Sequence, residues 1–115
     1  MTELTIPTVQ QALMRLSKAM ATTQGELSIQ TVKAVEADHA YRLARLTAMA
    51  RSQEKTQGMR EAEAELASLD QRREAKLAEG RKDATLERLR SVRSEMQAWQ
   101  ALAYVLRSEM ELARG

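Results

Sequence analysis

The residues with the most scope for chemistry are cations. Arg72, Arg73, Lys76, Arg81, Lys82, Arg88, Arg90 and Arg93 crowd into one stretch against only Glu74, Glu79, Asp83 and Glu87. An earlier stretch is also basic, with Arg42, Arg45, Arg51, Lys55 and Arg60 facing only Glu54, and the acidic run Glu61, Glu63, Glu65 and Asp70 separates the two. Arginine dominates, and a guanidinium makes bidentate hydrogen bonds to phosphate and stacks on flat rings, which a lysine ammonium does not. Two readings stand: solvated helix faces laced by pairs four residues apart, or a phosphate-binding surface. A formal net charge of +2 does not separate them; the uneven distribution is what raises the second.

Other chemistry is missing from the residue types. There is no cysteine, hence no disulfide framework, thiol nucleophile or Cys-based metal site. No Gly-rich phosphate loop and no Ser/His/Asp set is present, and His39, the single histidine, is the only neutral-pH base. His39 falls on an apolar helical stripe and reads as a partly buried, hydrogen-bonded side chain. Glu61, Glu63 and Glu65 stand two apart and so point to different sides of a helix, which makes them a solvated helix start and no metal site. The expectation is a protein that is not an enzyme and needs no cofactor or metal. Phe is absent, and Trp99, Tyr41 and Tyr104 are the only aromatics, so nucleic acid would be held by its backbone, through many subunits with a few weak contacts each.

These cations must be positioned by helices. Arg, Glu, Ala, Leu, Gln and Met are good helix formers, and β-branched residues never alternate over a useful run. The predicted fold is all-α: an elongated helical hairpin or bundle of three helices with a long C-terminal coiled-coil-like assembly helix, all in one domain spanning residues 1–115. Pro7, with Thr5 or Thr8 as cap, opens a helix over about 7–21 whose apolar face is Val9, Leu13, Leu16 and Met20. Thr22, Thr23, Gln24 and Gly25 read as a turn, and Ser28 caps a second helix over about 28–53. That helix carries a main stripe of Val32, Val35, His39, Leu43, Leu46 and Ala50 and a second of Ala34, Ala37, Tyr41, Ala44 and Ala48, which places it between two neighbours inside an assembly. A hinge over 54–59 around Gly58 precedes a long helix over about 60–113, solvent-rich in its first half around Leu66, Leu69 and Leu77, with Gly80 marking a bend.

After Gly80 the spacing becomes regular. Leu89, Val92, Met96, Trp99, Ala103, Leu106, Met110 and Ala113 recur every three or four residues, the seam of a coiled coil. Ala98, Ala101, Leu102, Tyr104 and Val105 widen it beyond what two strands cover. Burying each Leu, Val or Met is worth about 1.5–3 kcal/mol, so the expectation is self-association into a ring or bundle through Leu89, Val92, Met96, Trp99, Leu102, Ala103, Leu106 and Met110. Met14, Met20, Met49, Met96 and Met110 fill the apolar stripes, an adaptable partner groove being the alternative. No window approaches the roughly 20 apolar residues of a membrane span, and residues 1–10 do not resemble a secretion signal; the expected location is the cytoplasm, that of the host cell if the protein is encoded by a phage.

Three segments together resemble small helical phage proteins: Ala37-Asp38-His39-Ala40-Tyr41-Arg42-Leu43-Ala44; Gly58 followed by Arg60-Glu61-Ala62-Glu63-Ala64-Glu65-Leu66; and the run from Leu86 through Trp99 to Gln100. The layout is similar to that of the UvsY-type recombination mediators. That resemblance implies a ring oligomer that binds single-stranded DNA and helps load a RecA-like recombinase in place of a single-strand-binding protein. It further implies that Arg72, Arg73, Lys76, Arg81, Lys82, Arg88, Arg90 and Arg93 face the DNA, while the Trp99 seam builds the ring. The run Gln97-Ala98-Trp99-Gln100 is also similar to one in the flagellar export stalk protein FliJ, which implies a coiled-coil adaptor or chaperone without nucleic-acid binding. A small inhibitory phage protein is the third alternative.

Overall fold

The computed structural model describes residues 4–114, and all of its regular structure is helical: α1 (Ile6–Arg51), α2 (Gln57–Ala67) and α3 (Leu69–Arg114). The Thr5 hydroxyl accepts a hydrogen bond from the Thr8 amide at 3.3 Å, so Thr5 caps α1 and Pro7 sits in its first turn, where no amide hydrogen is needed.

The predicted turn at Thr22–Gly25 does not form; α1 runs straight through it. Thr23 is buried, and its hydroxyl donates to the Ala19 carbonyl at 2.7 Å, so this threonine satisfies itself within the helix and serves as a packing residue. One glycine costs a helix only about 1 kcal/mol relative to alanine, and the seam that continues on both sides of Gly25 outweighs that. The two helices expected over 7–21 and 28–53 are therefore one. Gly80 likewise lies inside α3 without interrupting it.

The chain breaks elsewhere. Residues 52–56 are non-helical, and Thr56 caps α2 by accepting from the Met59 amide at 3.2 Å; Gly58 and Met59, expected in the hinge, are already helical. Ser68 separates α2 from α3, so the long helix expected over 60–113 is two. Its side chain is fully buried, and its hydroxyl and amide both donate to the Ala64 carbonyl, at 2.6 and 3.0 Å. A serine that competes for its own helix's carbonyls favours a local kink.

The chain divides into two compact units. The first joins α1 up to Glu26 with α3 from Leu86 onward. The two segments are antiparallel: Ile6, Val9 and Leu13 line a hollow with Ala103 and Leu106, Arg15 meets Glu95 at 3.7 Å, and Glu26 meets Arg88 at 3.1 Å. Val9, Leu16 and Leu89 are 2–5% exposed, while Leu13, Met20, Val92, Met96, Trp99, Ala103 and Leu106 are half-buried. The C-terminal seam thus has a partner helix in its own chain. What stays open is its flank, with Leu102, Tyr104, Val105, Met110 and Leu112 exposed.

The second unit, Leu27–Thr85, packs the rest of α1 against α2 and the start of α3. Its buried residues are small: Ala34, Ala64, Ser68, Ala78 and Thr85. Ala37, Ala44, Ala48 and Ala75 are half-buried beside them. Small side chains on both sides let helix backbones approach closely. Both stripes of α1 are expected to meet a neighbour, and within the chain the second of them does so. The alanine stripe faces inward, whereas Val32, Val35, Leu43 and Leu46 are 57–65% exposed. His39, expected to be partly buried and hydrogen-bonded, is exposed, with no hydrogen bond among the described residues. Leu66, Leu69 and Leu77 are exposed, as the solvent-rich half-helix requires.

Candidate nucleic-acid interface

The predicted cations do not form one surface. A helix turns about 100° per residue, so Arg72, Arg73, Lys76, Arg81, Lys82, Arg88, Arg90 and Arg93 are distributed around α3. They are also divided between the units: Arg72, Arg73, Lys76, Arg81 and Lys82 belong to the second, Arg88, Arg90 and Arg93 to the first. Acids already hold most of them. Arg73 lies 4.0 Å from Asp70, Arg88 3.1 Å from Glu26 and Arg90 2.6 Å from Glu87. Lys82 is half-buried, with its ammonium 2.7 Å from Glu79, and that hydrogen bond holds its proton more tightly than an ordinary lysine does. Lys76, Arg81 and Arg93 are exposed and have no ion pair among the described residues.

One place in the second unit does gather cations from separate helices. Tyr41 stands between two neighbouring hollows. The first, about 380 Å³, is lined by Tyr41, Arg42, Arg45, Leu46 and Glu65. The second, about 300 Å³, brings Arg72 and Lys76 to the same ring, along with Asp38 and Glu79. Antiparallel packing of α1 on α3 accounts for this, since it places residue 41 beside residue 72. Arg42 and Arg45 flank Tyr41 on α1, and Arg72 and Lys76 are one turn apart on α3.

At the centre lies a carboxylate. The Tyr41 hydroxyl donates to Glu65 Oε1 and Oε2 at 2.9 and 3.1 Å, Arg45 Nε donates to Oε1 at 2.7 Å, and Arg72 Nη1 lies 3.5 Å from Oε2. The hydrogen bond from Tyr41, followed by that from Arg45, keeps the Glu65 carboxyl below the usual glutamate range. The same bond, and then burial, pushes the Tyr41 hydroxyl above the usual tyrosine value. One hydroxyl and two guanidiniums converging on an anion is an arrangement that suits phosphate oxygens equally well. Glu65 uses much of it, leaving Lys76 and the outer edges of Arg42, Arg45 and Arg72 for an external anion.

Tyr41, Arg42 and Arg45 were not among the predicted phosphate ligands. Tyr41 reads from sequence as a member of an apolar stripe, and Arg42 and Arg45 as part of the lesser basic stretch. The available signal was the pair of two-cation motifs, Arg42/Arg45 and Arg72/Lys76, which become neighbours once the helices are antiparallel.

Among the described residues no group of three His, Cys, Asp or Glu side chains is placed to hold a metal ion, and no helix is long and apolar enough to cross a membrane. Comparison with family models, with curated proteins and with solved structures finds no match to this chain.

Proposed function

We propose that this chain is a non-catalytic, self-associating protein that binds single-stranded DNA by its backbone, in the manner of a phage recombination mediator that assists a RecA-like recombinase. The observation that carries this reading is the gathering of Arg42, Arg45, Arg72 and Lys76 around Tyr41. It pairs phosphate-binding guanidiniums with an aromatic ring, the combination that single-strand binders use. The net positive excess at one such cluster is small because Asp38, Glu65 and Glu79 share it. Useful affinity therefore comes from several copies acting along one strand. The open flank of Leu102, Val105 and Leu112 on α3 supports assembly of those copies into a ring or bundle.

A labelled oligonucleotide titrated by fluorescence anisotropy at several salt concentrations tests the proposal. Binding should weaken linearly on a log–log plot, with a slope of about −0.7 per neutralised phosphate for a single strand. Absence of binding at low salt, or binding indifferent to salt, sinks it. The extensive ion pairing of Arg73, Lys82, Arg88 and Arg90 favours a second reading, a coiled-coil adaptor for another protein whose charges serve solubility. That outcome would appear as no DNA binding together with stabilisation by a co-expressed protein.

A further inference from the structure

We infer that the outer stripe of α1 in the second unit is the docking surface for a second copy of this chain, the two α1 helices lying antiparallel about a two-fold axis through His39. The positions of the stripe are palindromic. Relative to His39, Val35 and Leu43 lie four residues before and after, Val32 and Leu46 seven, and Ser28 and Ala50 eleven. An antiparallel copy centred on His39 therefore sets Val32 against Leu46 and Val35 against Leu43, twice each. Every large apolar side chain meets another, and the small residues Ser28 and Ala50 meet at the ends. Val32, Val35, Leu43 and Leu46 are all more than half exposed in the single chain. At about 100° per residue this stripe lies on the side of α1 opposite the alanine seam, so α2 and α3 do not obstruct it.

The flanks fit the same arrangement. Asp38 and Arg42 edge the stripe on one side and pair with each other along the helix at 2.9 Å in the single chain. In an antiparallel pair like flanks face each other, and Arg42 of one copy comes within about one half-turn of Asp38 of the other. Two ion pairs can thus be exchanged across the interface, and the two Asp38 carboxylates, about 3 Å apart along the axis, then lie between the Arg42 side chains of the two copies. On the other flank, a groove of about 640 Å³ bordered by Ala40, Leu43, Ala44, Thr47 and Ala48 adjoins the stripe. The Val35 side chain of the second copy, set against Leu43, is placed at its edge. The same two-fold axis brings both Tyr41 clusters to one side of the pair, because they lie beside the flank that carries Arg42. The inference does not depend on DNA binding; it rests on the stripe alone.

The chain has no cysteine, so single introduced cysteines report the arrangement directly. Under mild oxidation His39→Cys should form a covalent dimer in high yield. Leu46→Cys should not, because in the antiparallel pair the two positions 46 are about 21 Å apart along the axis. Sizing with light scattering should give at least twice the 12.9 kDa chain mass. The double variant Val35→Glu/Leu43→Glu should halve that mass while circular dichroism keeps its helical signal. A wild-type mass of one chain overturns the inference, and so does cross-linking through Leu46→Cys as readily as through His39→Cys, which indicates a parallel pair. These outcomes are read without nucleic acid, so they stand apart from any failure of the anisotropy titration.

Discussion

The two units solve the same problem, packing α1 against α3, with opposite inventories. The first buries Val9, Leu16 and Leu89 and half-buries Met96 and Trp99. The second buries Ala34, Ala64, Ser68 and Ala78 and turns Val32, Val35, Leu43 and Leu46 outward. Large residues hold helices apart and fill the space between them, whereas small residues let backbones meet and leave the large ones free for another surface. The second unit also carries a hydrogen-bonded polar cluster, Tyr41–Glu65–Arg45–Arg72, where the first has the separate ion pairs Arg15–Glu95 and Glu26–Arg88. The unit with the smaller core is thus the one with the more developed exterior.

Cavity formation should have the largest effect. Leu89→Ala in the first unit should cost about 2–5 kcal/mol in denaturant unfolding, the usual range for a buried leucine; a cost near zero would mean the first unit is not held by its seam. Overpacking comes next. Ala64, fully buried, has no room for extra methylenes, and Ala64→Leu should cost about 1–3 kcal/mol. If thermal melting shows Ala64→Leu tolerated, the helices of the second unit are not closely apposed.

Glycine replacement should work in the other direction. Gly25 and Gly80 lie within helices, and a Cβ at either position meets nothing within 4 Å. Gly25→Ala and Gly80→Ala should each stabilise by about 0.5–1 kcal/mol. Destabilisation at Gly25 would restore the turn that the sequence there suggests. The smallest effect concerns pH. Because the Glu65 carboxyl is lowered in the folded chain, its contribution is complete above the ordinary glutamate value of about 4.3 and is lost as pH falls through the lowered value. Glu65→Gln should therefore flatten the acid limb of a stability–pH curve and leave the neutral region little changed. An unaltered acid limb would show that the cluster contributes nothing.

Helical class and the C-terminal seam were legible in the sequence because both rest on composition and on a regular spacing. The seam residues Leu89, Val92, Met96, Trp99, Ala103 and Leu106 do face a helix. Their partner was not legible, because spacing says that a helix is covered without saying by which one. The turn at Thr22–Gly25 misled because threonine and glycine are turn residues locally, whereas Thr23 fits the seam as a buried helix residue. Both stripes of α1 are legible as helix faces, but spacing does not say that the alanine stripe packs within the chain while Val32, Val35, Leu43 and Leu46 stay exposed; close approach favours the small residues where alanine and serine face alanine. The cation cluster was the least legible feature, since Arg42, Arg45, Arg72 and Lys76 are brought together only by the antiparallel pairing.

The central claim is that phosphate binding belongs to the Tyr41 cluster of the second unit and not to the arginines of α3 at large. It is tested by comparing two charge-neutralising pairs, Arg72→Gln/Lys76→Gln and Arg88→Gln/Arg90→Gln, in the salt-dependent anisotropy titration. The first pair should shallow the slope by about 1.4 log units per log unit of salt, and the second, already held by Glu26 and Glu87, should leave it unchanged. Equal loss from both pairs, or no loss from the first, would contradict the account.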